Sequence, residues 1–190
     1  ATLEAVRHLI GLGHRRIALL FSSNWPLGRD YQHYFCQALQ SRHLPYIPEL
    51  VVDIREALYL PQSPHFQDSW TVKPMSAVRR LMQIADPPTA IVCSNDGFAI
   101  ACIKGLQQLG LRVPDDVSVI GYNNELISTL FHPELTTIRQ PLEEIASSSI
   151  EMLRSILDQE KLDHSQLASM RQIIRPELIE RDSCAPCRSR

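Results

Sequence analysis

The fold of this chain is decided by residues 88–121, whose sequence is PTAIVCSNDGFAIACIKGLQQLGLRVPDDVSVIG. The apolar run at 89–93 shows no alternation with polar residues, a pattern typical of a strand that is covered on both faces. Small polar residues follow it, and apolar residues then recur at helical spacing until Gly110, which is suited to ending a helix. A turn leads to a second apolar run at 117–120. The stretch therefore predicts a strand, a helix and a second strand parallel to the first.

Polar side chains are grouped where these two strands end. Asn95 and Asp96 follow the first strand, and Asn123 and Asn124 follow the second. In open parallel sheets, ligands bind outside the carboxyl ends of the strands. We therefore expect a small polar ligand at this edge of the sheet. The alternatives are local: Asn95 or Asp96 could serve only to cap the next helix, and the other two could be turn residues.

The composition fits a compact α/β protein and argues against several other classes. The chain has 190 residues, a formal net charge of -2 and no long basic run, which argues against nucleic acid binding by this segment alone. No apolar run reaches the length that spans a membrane, and the N-terminus lacks the pattern of a signal peptide. The 5 cysteines show no disulfide-framework spacing. We therefore expect a cytoplasmic protein with reduced thiols.

The rest of the chain alternates helical patterns with short apolar strands. This alternation predicts an α/β fold with an open parallel sheet flanked by helices on both faces. Residues 55–70 carry prolines and little periodicity, so a long irregular loop is predicted there, followed by a helix at about 75–84. Pro141 is well placed to begin a long helix that continues to about residue 159. Residues 171–175 are predicted to form a strand.

Several ordered blocks of the sequence carry a resemblance to a known family. They are residues 9–18 (LIGLGHRRIA), 88–96 (PTAIVCSND), 110–122 (GLRVPDDVSVIGY), 133–141 (PELTTIRQP) and 175–183 (RPELIERDS). Together they resemble the effector-binding domain of the lactose and galactose repressor family (LacI/GalR), and the resemblance extends along nearly the whole chain. The resemblance implies a periplasmic-binding-protein-like fold. In that family two α/β subdomains close on an effector, and a preceding helix-turn-helix domain binds an operator.

The resemblance also implies a domain organisation. Residues 1–140 would form the C-terminal effector-binding subdomain. Residues 141–181 would be a helix and a strand that cross back to the N-terminal subdomain, and residues 182–190 a mobile tail. The sequence starts in helical register without an initiating Met. We therefore expect a piece of a longer protein, with the DNA-binding domain, the hinge and most of the N-terminal subdomain outside it.

Candidate effector-binding residues follow from the family pattern. Asn95 and Asp96 match the Asn or Asp that the family places after the first strand of the strand–helix–strand unit. Asn123 occupies the position of an acidic residue that usually faces the effector, and it brings no charge. Ser22 and Ser23 follow the first strand of the chain and are further candidates for ligand contact.

The sharpest departure from the family pattern lies in the helix after the first strand. Tyr31 and Tyr34 stand where the family usually has an Arg and, three residues later, a Gly. Arg29 could reach the ligand only from the loop, because a shift of two positions on a helix changes the direction of the side chain. A phenol does not replace a bidentate arginine contact, so the effector is atypical or its binding has decayed. Trp70 lies near the position of a ligand-stacking aromatic in some sugar-responding members, with plain packing as the alternative.

Two further features carry weaker signals. Leu130 and Phe131 lie in an apolar patch that is either core or, as the resemblance implies, part of the family's dimer contact. Cys184 and Cys187 have the spacing of half a metal motif, but zinc needs four ligands and no second pair with suitable spacing is present. We expect no metal and no cofactor, and no catalytic motif is recognisable.

The sequence therefore predicts a sensor that is not an enzyme. It would bind a small, sugar-like metabolite, act as a homodimer, and reach operator DNA only through a domain outside this chain. Hinge closure around the effector would alter operator affinity. A periplasmic-type solute-binding protein for transport or chemotaxis is the alternative on the same fold. A phosphatase using Asp96 or Asp53 is a third hypothesis, which no neighbouring acidic cluster supports.

Overall fold

The computed structural model describes residues 1–23, 28–54, 66–158 and 171–188, except for the side chains of residues 28, 29 and 66–73. The helices are α1 (Thr2–Gly11), α2 (Gly28–Gln40), α3 (Phe66–Gln83), α4 (Asp96–Gln108), α5 (Ile127–Leu130) and α6 (Leu142–Leu157). The strands are β1 (Ile17–Phe21), β2 (Val51–Asp53), β3 (Ala90–Cys93), β4 (Ser118–Tyr122), β5 (Thr136–Arg139) and β6 (Glu177–Ile179).

The strands form a 6-stranded sheet in the order β2-β1-β3-β4-β5-β6. Strands β1 to β5 pair in parallel, with Ile17 opposite Ala90 in the β1–β3 ladder and Ala90 opposite Ser118 in the β3–β4 ladder. The unit predicted from residues 88–121 is β3, α4 and β4. The prediction of an open, parallel α/β sheet is therefore confirmed.

The sheet is covered on both faces, which explains the unbroken apolar runs of its strands. Successive residues of a strand point to opposite faces. In β3, Ile91 and Cys93 pack in one apolar cluster with residues of α3 and α4, whereas Ala90 and Val92 pack in another with residues of α1 and α2. Because both faces need apolar side chains, no polar alternation is possible in this strand.

Helix α3 begins earlier than the sequence predicts. The chain is already helical at Phe66, so the predicted loop at 55–70 is wrong over its last residues, while residues 55–65 lie outside the described part. Pro74 is buried inside the helix. The later turns of α3 bury Val78 and Leu81, and they approach α4 so closely that a Cβ on Gly105 would lie 3.3 Å from the Cα of Met75. This packing stabilises a helix that local propensity disfavours.

The strand predicted at 171–175 is not observed. Those residues have no regular structure, and Ile173 is 89% exposed. The strand at this end of the chain is β6, which starts at Glu177, directly after Pro176. A proline cannot donate a ladder hydrogen bond, so pairing begins only beyond it.

The segment predicted to be a mobile tail is bound to the sheet over residues 183–188, which we call the C-terminal strap. Ser183 is fully buried, and its hydroxyl donates to the Val119 carbonyl at 2.6 Å. Farther along, the amide of Ala185 donates to the Ser118 hydroxyl at 3.2 Å. The Cys187 amide donates to the carbonyl of Leu12 at 2.7 Å. These contacts hold residues 183–188 against the sheet, and the mobility predicted for residues 182–190 remains a prediction.

The chain divides into two compact units. One comprises residues 1–139 and 178–190, and the other residues 140–177. The smaller unit contains α6, and the Ser148 hydroxyl of that helix donates to the side chain of Gln172. Several large apolar side chains of α6 are exposed, namely Leu142, Ile145, Ile150, Leu153 and Leu157. That residues 141–181 cross to another subdomain remains a prediction.

Candidate functional site

The carboxyl ends of the five parallel strands lie along one edge of the sheet. The residues at or just after these ends are mostly polar, and the edge is the expected ligand position in such sheets. In strand order from β2 to β5, they are Asp53, then Ser22 and Ser23, then Ser94 and Asn95, then Tyr122 and Asn123, and finally Arg139. Four of the eight predicted site residues, Ser22, Ser23, Asn95 and Asn123, therefore share this edge.

Ser22 is the least satisfied polar residue of the edge. It is 1% exposed, and its hydroxyl has no hydrogen-bond partner within the described part of the chain. A buried hydroxyl without a partner costs free energy, and such groups are few in folded proteins. The neighbouring Ser23 is tied to β2, because its amide donates to the Asp53 carboxylate at 3.1 Å. The buried hydroxyl of Ser22 therefore has unused hydrogen-bonding capacity.

Asn95 caps α4 and keeps part of its side chain for other contacts. Its Oδ1 accepts from the amide of Phe98 at 2.8 Å, and its backbone is extended, as expected at an N-cap. The capping interpretation is thus confirmed. The Nδ2 group of Asn95 makes no hydrogen bond to any described residue. Capping and ligand binding are therefore compatible, since each uses a different atom.

Asp96 lies beneath the edge rather than on it. The residue is fully buried, its Oδ1 accepts from the Thr137 hydroxyl at 2.5 Å, and its Oδ2 accepts from the Glu125 amide at 2.7 Å. Burial raises the pKa of this carboxyl, although both hydrogen bonds oppose that shift. Gly121 leaves it room, because a Cβ there would lie 2.2 Å from Oδ1. In this conformation Asp96 supports the site instead of facing a ligand.

Residues 122–125 form what we call the site loop, and its two asparagines adopt left-handed backbone conformations. Asn123 has φ 107 and Asn124 has φ 55, a region that Asn tolerates better than most residues. The turn interpretation is confirmed for both. The Asn123 amide group donates to the Glu125 carboxylate at 3.1 Å. Its predicted ligand contact remains a prediction.

Arg181 anchors the site loop and was not predicted from the sequence. Its Nη2 donates to Asn124 Oδ1 at 2.7 Å, and its Nη1 donates to the Leu135 carbonyl at 2.7 Å and to the Ser128 hydroxyl at 3.1 Å. Only 14% of the side chain is exposed. One guanidinium therefore connects the loop, α5 and the approach to β5. Nothing in the local sequence indicates that Arg181 is buried, because an arginine in a polar segment is usually exposed to solvent.

Tyr31 pairs with the tyrosine at the end of β4. The rings of Tyr31 and Tyr122 lie edge to face, with centroids 5.6 Å apart and an interplanar angle of 87°. Burial raises the pKa of both phenols, so both are neutral near pH 7. The position at which the family carries an Arg thus offers an uncharged aromatic surface. Tyr34, in the place of the family's Gly, is exposed and packs against the His33 ring.

The other predicted residues are only partly accounted for. The side chains of Arg29 and Trp70 lie outside the described part, although both residues fall within helices. Leu130 is 69% exposed, whereas Phe131 is half-buried against the core with the Lys104 ammonium 4.6 Å from its ring centroid. A dimer contact through these two residues remains a prediction.

The described residues give no support to metal or redox chemistry. No group of three or more His, Cys, Asp or Glu side chains within residues 1–23, 28–54, 66–158 and 171–188 is placed to hold a metal ion. The Cys184 thiol lies 3.4 Å from the Val119 carbonyl, and burial raises its pKa to about 12.

No helix among the described residues has the length and apolar character of a membrane span.

Most of this chain matches a known domain family. The model of the periplasmic binding protein-like domain matches residues 6–184. An arabinose metabolism transcriptional repressor of Geobacillus stearothermophilus is 35% identical over 178 residues, which are 93% of this chain and 45% of the relative. The HTH-type transcriptional repressor PurR of Aliivibrio salmonicida is 33% identical over 180 residues, 94% of this chain and 49% of the relative. The chain spans about half the length of these relatives.

Solved structures agree with the sequence comparison. A sugar-binding transcriptional regulator of the LacI family from Escherichia coli, in complex with phosphate, has a TM-score of 0.77 and 26% identity. The similarity covers 98% of this chain and 60% of that one. The lac repressor dimer bound to operator and the anti-inducer ONPF has a TM-score of 0.72 and 26% identity, covering 97% of this chain and 57% of that one.

Proposed function

Because this chain belongs to the periplasmic binding protein-like family, as an effector-binding domain of the LacI/GalR type, we propose that it is the small-molecule sensor of a transcription regulator. The curated relatives are transcriptional repressors, which favours a regulator over a transport protein and over an enzyme. Since the chain spans about half of those relatives, the activity of the whole protein belongs to the proposal.

The observation that carries the proposal is the unused hydrogen-bonding capacity at the carboxyl edge of the sheet. The buried Ser22 hydroxyl and the Asn95 Nδ2 group have no hydrogen-bond partners among the described residues, and the Tyr31–Tyr122 pair, at the end of β4, supplies an apolar surface on the same edge. Ligand sites combine a few such polar groups with apolar surface. A sugar-like metabolite fits, because its hydroxyls donate and accept hydrogen bonds while its C–H face packs on an aromatic ring.

Signal transmission would follow from closure of the effector cleft. Effector binding at the carboxyl edge would stabilise one orientation of two subdomains, and so one state of an operator-binding domain outside this chain. The protein would act in the cytoplasm as a homodimer. Leu130 and its neighbour Leu126, which is 74% exposed, are the proposed contact residues on this side.

The test is calorimetric titration of the full-length regulator that contains this chain with pentoses, hexoses, hexuronates and purines, repeated with Asn95→Ser and Asn95→Ala. Serine caps a helix about as well as asparagine but lacks the amide group. We expect Asn95→Ser to keep its stability and to lose about tenfold in effector affinity, the effect of one missing hydrogen bond. Asn95→Ala should lose the same affinity and also about 1 kcal/mol of stability.

The control is Gln107→Ala, an exposed amide at the far end of the same helix, which should leave affinity unchanged. Binding of none of these ligands by the unmodified protein would contradict the sensor proposal. An effector that binds Asn95→Ser as tightly as the unmodified protein would contradict the assigned site.

A further inference from the structure

A cavity lies at the edge of the sheet opposite to the candidate effector site. It has a volume of about 530 Å³ and is lined by the end of α1, the segment before β1, and the turn after α2. The lining residues are Arg7, Ile10, Gly11, Arg15, Ser41, Arg42 and His43. Because Arg15 precedes β1 and residues 41–43 precede β2, this cavity lies at the amino ends of the parallel strands.

The lining carries three arginines and no acidic residue. Arg7 has a partner outside the lining, since its Nη1 lies 3.3 Å from the carboxylate of Glu4 one turn earlier on α1. The guanidinium groups of Arg15 and Arg42 make no ion pair or hydrogen bond to any residue in the described part of the chain. The chain as a whole is slightly acidic, with a formal charge of -2. The lining of this cavity is therefore positively charged, although the chain as a whole is not.

Helix ends alone do not account for this grouping. Cations near the C-terminal ends of α1 and α2 are favoured by the helix dipoles. However, carbonyls in the last turns of these helices already accept hydrogen bonds from backbone amides: the amide of Leu12 donates to the His8 carbonyl, and the amide of His43 donates to the Gln40 carbonyl. Attraction to a helix dipole would also not require the arginines to line a concave surface. It does not offset the electrostatic repulsion between several cations that surround the same space.

The chemistry of the cavity fits a small phosphorylated molecule. Guanidinium groups bind phosphate oxygens in a bidentate manner, and several around one cavity match a dianion. The volume lies in the range of small-ligand sites, and all of the lining residues except Ile10 are solvent-exposed. Ile10 adds an apolar wall for the carbon part of such a ligand. We propose that this cavity binds a phosphomonoester, at a site separate from the effector edge.

The test uses ribose 5-phosphate, inorganic phosphate and ribose as probes, titrated by calorimetry into the full chain. Both phosphates should bind with one site per chain, and ribose should not bind at this site. Arg15→Gln and Arg42→Gln should each weaken ribose 5-phosphate binding by about tenfold, the effect of losing one charge-assisted contact. Arg80→Gln, which removes the same charge from an exposed position of α3, should change nothing. Urea unfolding of each variant verifies that the fold is retained.

Three results would overturn the proposal. The first is the absence of saturable binding of both phosphates. The second is an equal loss of affinity in Arg80→Gln, which would indicate diffuse attraction to positive charge. The third is a loss in Asn95→Ser with none in the two cavity variants, which would place the phosphate at the effector edge. Because Asn95→Ser reports on the effector edge alone, failure of this proposal is distinguishable from failure of the sensor proposal.

Discussion

The carboxylate of Asp96 and the hydroxyl of Thr137 meet at 2.5 Å, which joins the first turn of α4 to β5. The other carboxylate oxygen accepts from the Glu125 amide, so the same side chain also holds the site loop. Gly121 supplies the necessary space in β4 between them. The geometry of the candidate effector edge thus depends on a buried acid that does not itself reach the surface.

We predict that Asp96→Asn flattens the pH dependence of stability in the acidic range. Burial raises the pKa of Asp96 in the folded state. Between the unfolded value of about 3.9 and the higher folded value, the folded protein binds more protons, so the free energy of unfolding falls as pH rises. The variant lacks this contribution. It should also lose about 1 to 3 kcal/mol at pH 7, because a charged carboxylate that accepts two hydrogen bonds is replaced by a neutral amide with one acceptor oxygen. Urea unfolding from pH 4 to 7 measures both effects, with the exposed Asp158→Asn as the control.

Gly121→Ala should be strongly destabilising. A Cβ at this position would lie 2.2 Å from Asp96 Oδ1 and 2.7 Å from Leu135 Cδ2, so the carboxylate and the Leu135 side chain must both shift. We expect a loss of about 2 to 3 kcal/mol. Gly11→Ala is the matched comparison, because nothing lies within 4 Å of its added Cβ. Thermal unfolding of the two variants side by side checks the prediction, which fails if their midpoints are equal.

His14 should make the protein less stable as the pH falls below about 6.5. Its ring lies 2.9 Å from the Thr89 hydroxyl and 3.1 Å from both the Ser118 hydroxyl and the Ala185 carbonyl. Burial lowers the pKa of this ring, although the bond to Ala185 opposes the shift. Between the lowered folded value and the unfolded one, the unfolded chain binds more protons, so the free energy of unfolding rises with pH.

The measurement for His14 is the urea midpoint from pH 5 to 8, in the unmodified protein and in His14→Gln. The slope over this range should shrink in the variant. His33→Gln, at an exposed position of α2, should retain the slope of the unmodified protein. An unchanged slope in His14→Gln would show that another group is responsible.

Thiol reactivity should divide the cysteines into two classes. Cys93 and Cys102 are buried with their sulfurs 3.6 Å apart, and burial raises the pKa of Cys93 well above its usual value. Because the thiolate is the nucleophile, they should resist alkylation in the folded protein. Cys36 and Cys187 are half-buried and should react first with iodoacetamide. Mass spectrometry of labelled peptides in buffer and in urea tests this, and equal rates in buffer would contradict it.

The sheet was predictable because its strands obey a strong local rule. β3 must bury side chains on both faces, and that requirement is visible as an unbroken apolar run. Helix α3 was harder, since Pro74 and weak periodicity hide a helix that packing against α4 stabilises. The C-terminal strap carries no periodic pattern, because its hydrogen bonds go to residues such as Leu12 and Val119, far away in sequence.

The candidate site shows the same division between local and long-range information. The capping role of Asn95 follows from its place before a helix, and the left-handed backbone of Asn123 follows from its place after a strand. The burial of Asp96 could not be predicted from the residues that neighbour it in sequence. It depends on a missing Cβ at Gly121 and on a hydroxyl at Thr137, which belong to two other strands.

The C-terminal strap has a consequence for how this protein is made. The ring of His14 is covered by the carbonyl of Ala185, which is synthesised 171 positions later. The amino edge of the sheet therefore stays open until the strap has been synthesised. Contacts of such long range slow folding and expose unfinished chains to aggregation. Premature termination before residue 183 should thus yield a product that the cell degrades, not a slightly shortened sensor.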